Sequence, residues 1–133
     1  MKRLIFCALL LTACGEQKTD TFKIAGGGLQ FNLGTSQATM IVIAQQIASP
    51  PNGATLEAQF DLPGTNTRQS LSQPITHDRL QYRFESQALT GLVKGANYNV
   101  SILLHDKNGT VIERKDTVFT SSEDQSDLPI KQP

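Results

Sequence analysis

The chain has 133 residues, of which 38% are hydrophobic, and its twelve lysines and arginines balance its twelve aspartates and glutamates. A domain of this length buries roughly two-thirds of its unfolded surface, which is enough for one self-sufficient core. The sequence has no cluster of basic residues of the kind that binds a phosphate backbone, so we expect no nucleic-acid partner.

The first fourteen residues have the three parts of a secretory signal. A basic start, Met1-Lys2-Arg3, precedes an apolar run from Leu4 to Leu11, and small residues lead to Cys14. The apolar run is shorter than the about 20 residues that span a bilayer. The tetrapeptide Leu11-Thr12-Ala13-Cys14 resembles a bacterial lipobox. This resemblance implies that residues 1–13 are a lipoprotein signal peptide and that lipid is attached to the sulfur and the new amino group of Cys14. An ordinary signal peptide with a chance cysteine is the alternative.

The same reading leaves the mature domain without a free thiol. Cys7 is removed with the signal and Cys14 carries lipid, so the domain has no disulfide and no thiolate zinc site. Residues 14–21 are therefore predicted to form the lipidated cysteine and a polar tether without periodicity. Seven tether residues hold the domain within about 25 Å of the membrane surface.

From Phe22 onward the hydrophobic pattern has a period of two, which is typical of strands with one buried face. Met40–Ala44 is a continuous apolar run and predicts a central strand covered on both sides. The run 110–120 changes phase between Ile112 and Phe119, which predicts a β-bulge. The alternating inward positions are Leu29, Phe31, Leu33, Leu56, Ala58, Phe60, Leu80, Tyr82, Phe84, Tyr98, Val100, Ile102 and Leu104.

Turn-forming residues separate these runs. Breaks are predicted at 49–53, which contains Pro-Pro-Asn-Gly, and at 62–66, and Asp106-Lys107-Asn108-Gly109 predicts a hairpin. Strands at short, regular spacing predict an all-β fold, namely a single antiparallel β-sandwich of about seven strands over residues 22–120.

One segment carries a family resemblance. Residues 89–102, Leu-Thr-Gly-Leu-Val-Lys-Gly-Ala-Asn-Tyr-Asn-Val-Ser-Ile, resemble the corner of a fibronectin type III domain. The resemblance implies an immunoglobulin-like or fibronectin type III-like sandwich. It also implies a tyrosine corner, in which Tyr98 folds over a loop containing Leu92 and its hydroxyl bonds to the backbone. The chain departs from that family in having no tryptophan.

Gly26-Gly27-Gly28 is the most unusual local sequence of the predicted domain. The Gly-Lys-Ser/Thr ending of a phosphate-binding loop does not follow it, so we expect a flexible break or a bulge in the first strand. The alternative is that three residues without side chains let another chain approach closely at a sheet edge.

The residue types that carry chemistry show no catalytic pattern. His77 and His105 are the only histidines, and both are predicted to be solvated or to lie in turns. Residues 106–109 resemble the start of a calcium loop, but the distal glutamate and flanking helices of an EF-hand are missing. No serine lies in a Gly-x-Ser-x-Gly turn. We therefore expect no catalytic residues, no metal site and no cofactor.

The remaining expectations concern the tail and the function. Residues 121–133 are predicted to be a polar, proline-containing tail.

The first functional hypothesis is a non-enzymatic lipoprotein of the bacterial cell envelope, an adaptor or accessory protein with a protein partner. Gly15 after Cys14 favours the outer membrane, facing the periplasm, by resemblance to sorting in enteric bacteria. The alternative is a lipoprotein that binds glycan, peptidoglycan fragments or a small ligand, which needs a cleft with converging polar groups.

Overall fold

The computed structural model describes residues 20–127 of the chain. The predicted signal peptide, Cys14, residues 15–19 of the tether and residues 128–133 of the tail lie outside the described residues. Residues 20–127 form seven strands and one 3-10 turn at Gln125–Asp127, with no α-helix and hence no helix suited to crossing a membrane. The strands are β1 (Phe22–Asn32), β2 (Gln37–Gln46), β3 (Thr55–Asp61), β4 (Arg68–Pro74), β5 (Gln81–Glu85), β6 (Asn97–His105) and β7 (Val111–Thr120).

The seven strands form two antiparallel sheets. One sheet has the order β1-β2-β5 and the other the order β4-β3-β6-β7. Their buried side chains face each other, which confirms the predicted seven-stranded antiparallel β-sandwich. The fourth strand pairs with β3, whereas in a constant-type immunoglobulin domain it joins the sheet of the first, second and fifth strands.

The core lies between the two sheets and is built from the inward positions of all the central strands. The rings of Phe22 and Tyr82 pack edge to face with centroids 5.9 Å apart. The Tyr82 hydroxyl also accepts a hydrogen bond from the Thr76 N–H at 3.0 Å, which ties the β4–β5 loop to the core. The other large side chains that are fully buried in the core are Met40, Val42, Leu56, Phe60, Phe84, Leu89, Val100 and Leu104.

Three expectations about strand positions are wrong. Leu33 and Leu80 were expected to point inward, but β1 ends before Leu33 and β5 begins after Leu80, and both side chains are more than half exposed. Ile41 and Ile43 were expected to be covered, but they lie on the open outer face of β2 and are only half-buried. An apolar pattern does not reveal where hydrogen bonding stops, nor whether a second layer covers the far face.

The strand β4 is absent from the sequence-based expectations. Its sequence, Arg-Gln-Ser-Leu-Ser-Gln-Pro, contains Leu71 as the only large apolar residue. This composition is compatible with an edge strand, which needs little burial, and β4 lies at the edge of the four-stranded sheet. It ends at Pro74, which lacks an N–H for further pairing.

Both predicted irregularities occur as bulges, close to the expected positions. In β7, Glu113 pairs with Leu104 and Val111 with His105, so Ile112 is the extra residue. In β1, the pairing shifts between Ile24 and Gly26, so the bulge lies directly before the three glycines.

The three glycines themselves pair with residues of β2. The strand that contains them, β1, is an edge strand of the three-stranded sheet. A side chain at Gly27 would overlap the Ile41 carbonyl oxygen of β2 and lie 3.0 Å from Phe119 Cζ of the opposite sheet, so β1 approaches its neighbours closely at this position.

Candidate functional site

The predicted tyrosine corner has the following geometry. The Tyr98 hydroxyl accepts a hydrogen bond from the Val93 N–H at 2.9 Å, five residues upstream. Tyr98 and Leu92 are both buried in the core. The Tyr98 side chain thus spans the loop that leads into β6, and the bond satisfies a backbone donor that no strand could pair. Cys14, the other predicted site residue, lies outside the described residues.

The first residues of the predicted polar tail make hydrogen bonds to the domain. The Gln125 side chain donates to the Leu89 carbonyl at 2.6 Å and to the Ser36 carbonyl at 3.1 Å, and it accepts from the Leu92 N–H at 3.1 Å. It therefore links the β1–β2 turn to the tyrosine-corner loop. Ser121 is fully buried beside the same loop.

The end of the predicted tether that adjoins the domain is held by side chains of β7. The Glu113 carboxylate accepts hydrogen bonds from the Thr21 N–H at 2.8 Å and the Phe22 N–H at 2.9 Å. The Lys115 ammonium lies 2.7 Å from a carboxylate oxygen of Asp20. Two side chains of β7 therefore fix the segment through which the chain enters the domain, across the open side between the two sheets.

The outer surface of the four-stranded sheet carries a cluster of four charged residues around a serine. We call this cluster the polar face, and it consists of Asp61, Arg68, Ser101, Arg114 and Asp116. They come from β3, β4, β6 and β7, and the antiparallel register places their side chains on the same side of the sheet. Alternation along each strand puts these residues outside and their neighbours in the core.

Ser101 is the centre of the polar face. It is only 1% exposed although it lies on the outside of the sheet, because the long side chains of its neighbours cover it. Its hydroxyl donates to Asp116 Oδ1 at 2.5 Å and accepts from Arg68 Nη2 at 3.2 Å and Arg114 Nη2 at 3.4 Å.

Arg68, at the start of β4, is held by groups from β3 and β6. Its Nε lies 2.7 Å from Asp61 Oδ1, and its terminal nitrogens donate to Gln59 Oε1 and to the carbonyl of Asn99. The other oxygen of Asp61 accepts the Asn99 N–H at 3.1 Å, just beyond the last paired residues of β3 and β6. These contacts leave Arg68 little rotational freedom.

Arg114 and Asp116 are the exposed part of the polar face, with 55% and 58% of their side chains accessible. Arg114 Nε donates to both carboxylate oxygens of Asp116, at 3.1 and 3.2 Å. The hydrogen bond from Ser101, helped by Arg114, lowers the pKa of Asp116. Asp116 is therefore ionised at neutral pH, and it faces solvent with Arg114 next to the exposed Val118.

His105 is only partly exposed, whereas a solvated side chain was predicted, because its ring is hydrogen-bonded to Glu57 on the outer face of the same sheet. Its Nε2 lies 2.7 Å from Glu57 Oε1, and its Nδ1 lies 3.1 Å from the Gly109 carbonyl oxygen. The hydrogen bond with Glu57, followed by that with Gly109, raises the pKa of His105. Burial opposes ionisation of Glu57, but hydrogen bonds led by that from His105 outweigh it and lower its pKa.

The directions of these two pKa shifts define the pH range in which the His105–Glu57 pair stabilises the fold. Because the pKa of His105 is raised above its ordinary value of 6.5, its stabilisation is complete below 6.5 and is lost as the pH rises through the folded-state pKa. Because the pKa of Glu57 is lowered from 4.5, its stabilisation is complete above 4.5 and is lost as the pH falls through the folded-state pKa. The pair stabilises the fold most between about 4.5 and 6.5.

The chemistry that the polar face can perform is recognition by charge and hydrogen bonding. A serine nucleophile needs a general base and access to substrate, but the Ser101 hydroxyl is buried and its proton points to a carboxylate that stays ionised. Among residues 20–127, no three histidine, cysteine or acidic side chains are grouped to hold a metal ion.

A second feature is a cleft of about 490 Å³ between the β2–β3 and β4–β5 loops. His77 is exposed at its wall, as predicted for a turn histidine. The cleft is lined by Gln46, Ser49, Pro50, Pro51, Asn52, Gly53, Ile75, Thr76 and His77.

The polar face was missed at the sequence level, although one local signal was present. Arg114 and Asp116 both belong to a run of four consecutive charged residues in β7, Glu113 to Asp116, which indicates a strand with charged side chains on its outer face. No protein-family model matches this sequence, and no curated protein matches it either. Function is therefore inferred from the residues of the chain itself.

Proposed function

We propose that the protein is a bacterial lipoprotein, anchored through lipid on Cys14, whose β-sandwich acts as a non-enzymatic adaptor in the cell envelope. The lipobox-like sequence before Cys14 supports the anchor, and Gly15 supports the periplasmic face of the outer membrane as its location. The lipid holds the domain in two dimensions and raises its local concentration near a membrane-associated partner.

The observation that carries the adaptor proposal is the ordered polar face. Its two arginines and two aspartates are held in place by one another and by the buried Ser101 hydroxyl. Side chains that are already ordered lose little conformational entropy on binding, which favours specific association. Arginine is also among the residues that contribute most to protein–protein binding energy.

A partner that fits this surface presents complementary charges in fixed positions. The exposed Arg114 guanidinium takes a carboxylate, while the free edge of the Asp116 carboxylate takes a basic or hydrogen-bond-donating group. Val118, half exposed beside Asn99, supplies an apolar contact next to the pair. The proposed partner surface is therefore a mixed-charge protein surface with an apolar neighbour.

The test is site-specific photo-crosslinking in intact cells. A photoreactive residue replaces Val118, which lies beside the polar face, or, as the control, Arg83, which is similarly exposed on the outer face of the other sheet. We expect a discrete crosslinked product from position 118 and none from position 83, and its loss in the Cys14→Ser background. Equal products from both positions would contradict recognition by the polar face.

A charge reversal provides an independent check. Arg114→Glu places a second carboxylate beside Asp116, so we expect the crosslink at position 118 to fall at least tenfold while the melting temperature changes little, because Arg114 is exposed. Undiminished crosslinking of the Arg114→Glu variant would show that the partner does not recognise the Arg114–Asp116 pair.

Ligand binding is the second candidate function, and the cleft between the β2–β3 and β4–β5 loops favours it. Its volume of about 490 Å³ suits a small polar ligand, and amide and hydroxyl groups converge on it. Titration with soluble peptidoglycan fragments, followed by NMR chemical shifts, tests this function. Shifts confined to residues 49–53 and 75–77 would support it, and the absence of shifts at millimolar fragment would exclude it.

A further inference from the structure

Two exposed apolar side chains lie beside the segment through which the chain enters the domain. Ile47 is 49% exposed and Leu80 is 61% exposed. The Ile47 N–H donates to the Thr21 carbonyl at 2.7 Å, and the Gln46 N–H donates to the Leu80 carbonyl at 2.7 Å. Thr21, Ile47 and Leu80 therefore lie on three adjacent segments that together span about two strand spacings, roughly 10 Å. We call this end of the sandwich, defined by Thr21, Ile47 and Leu80, the tether end.

The position of the tether relative to this end is fixed by side chains of β7. Glu113 binds two consecutive backbone N–H groups, those of Thr21 and Phe22, and Lys115 pairs with Asp20. The chain therefore cannot swing away from the tether end before Asp20. Only residues 15–19 separate Asp20 from Cys14, so lipid on Cys14 lies at most about 21 Å from this point.

We propose that the tether end rests on the lipid bilayer, with the side chains of Ile47 and Leu80 in the interfacial region. This inference rests on the proposed lipid anchor at Cys14. With so short a connection, the bilayer surface is the apolar partner present at the highest local concentration, in the millimolar range or above. Apolar side chains beside an anchored segment gain free energy by leaving water at that surface.

The charges at the tether end neither drive nor prevent this contact. The exposed cations Arg79 and Lys107 lie in the β4–β5 loop and the β6–β7 hairpin, and Asp78 and Asp106 lie next to them in sequence. Lys23 is a further exposed cation, on the outer face of β1. Opposite charges so close together largely cancel at the distance of a lipid headgroup. The contact is therefore expected to depend on apolar burial and to change little with salt concentration.

The opposite end of the sandwich supplies a matched control. Leu33 follows β1 and Val93 precedes β6, and they are 58% and 55% exposed, close to the values for Leu80 and Ile47. All four positions therefore differ in location rather than in exposure. The mature chain has no other free thiol, because Cys7 is removed with the signal and Cys14 carries lipid, so single cysteine variants label at one site.

The experiment uses the full lipidated protein in vesicles of phosphatidylethanolamine and phosphatidylglycerol. Ile47→Cys, Leu80→Cys, Leu33→Cys and Val93→Cys are each labelled with bimane, and the quenching of its fluorescence by brominated lipid is measured at low and high salt. We expect at least threefold stronger quenching at positions 47 and 80 than at positions 33 and 93. Circular dichroism checks that each variant melts as the wild type does.

The other outcomes separate the contact from the anchor. If the protein floats with the vesicles but all four probes are quenched equally or not at all, the tether-end contact is refuted while the anchor stands. If the protein does not float with the vesicles, the lipid anchor is refuted and the inference fails with it. Quenching at positions 47 and 80 that disappears at high salt would refute the apolar basis of the contact.

Discussion

The three consecutive glycines of β1 should differ sharply in their tolerance of alanine. A methyl group at Gly27 would overlap the Ile41 carbonyl oxygen and lie 3.0 Å from both Phe119 Cζ and Val42 Cα, with φ at +140°. Gly28 has a φ of +155° but open space around it, and Gly26 has neither constraint. Alanine at these positions therefore separates backbone strain from steric overlap.

The expected costs follow from these environments. A backbone conformation reserved for glycine costs about 1–3 kcal/mol for any other residue. Overlap with a backbone atom that cannot rotate away adds about 1–3 kcal/mol. We therefore expect losses in unfolding free energy of about 4 kcal/mol for Gly27→Ala, about 2 kcal/mol for Gly28→Ala and within about 0.5 kcal/mol of zero for Gly26→Ala.

The assay is thermal and urea unfolding of the three variants beside the wild type. A loss of about 4 kcal/mol lowers the melting temperature of a domain of this size by roughly 15 °C, and it removes much of a typical stability of about 5–15 kcal/mol. The Gly26→Ala variant controls for the general effect of alanine in the strand. If Gly27→Ala unfolds within 1 kcal/mol of Gly26→Ala, the close approach of β1 to β2 and Phe119 is not what selects glycine.

Three further predictions concern the corner, the ion pair and the anchor. Tyr98→Phe removes the acceptor for the Val93 N–H and should cost about 1–3 kcal/mol in urea unfolding, so an unchanged curve would count against the corner. The wild type should lose stability relative to His105→Gln as the pH rises above 6.5, because the His105 charge that binds Glu57 is lost, and parallel stability–pH curves for the two proteins would disprove this coupling. Cys14→Ser should leave an unprocessed or soluble protein in membrane fractionation, and normal lipid labelling of that variant would refute the lipobox.

The Tyr98 loop shows which contacts can be predicted from a short segment of sequence. Leu92, the glycine turn and Tyr98 lie within one short segment, so a resemblance over that segment was enough to propose which residues meet. The hydroxyl of Tyr98 lies within hydrogen-bonding distance of a backbone group five residues away. Contacts at such short separations depend on the loop itself rather than on the packing of distant strands.

The contacts of the polar face could not be predicted in this way, because its residues are far apart in the sequence. Its central residue, Ser101, is 33 positions from Arg68 and 15 from Asp116, and only the pairing of four strands brings them together. A serine in a strand gives no sign that arginines will cover it. The β4 strand was missed for a related reason, because an edge strand buries too little to leave an apolar pattern.

What the sequence determined by itself is the local geometry of the chain. Period-two alternation specifies strands with one buried face, and the Asp106–Gly109 turn specifies a hairpin, because each depends on neighbouring residues alone. Tertiary structure decided the rest. Glu113 binds the Thr21 N–H across 92 positions of sequence, and Gln125 binds the Ser36 carbonyl across 89. Such contacts exist only once the two sheets have packed, since it is the packing that brings these partners within hydrogen-bonding distance.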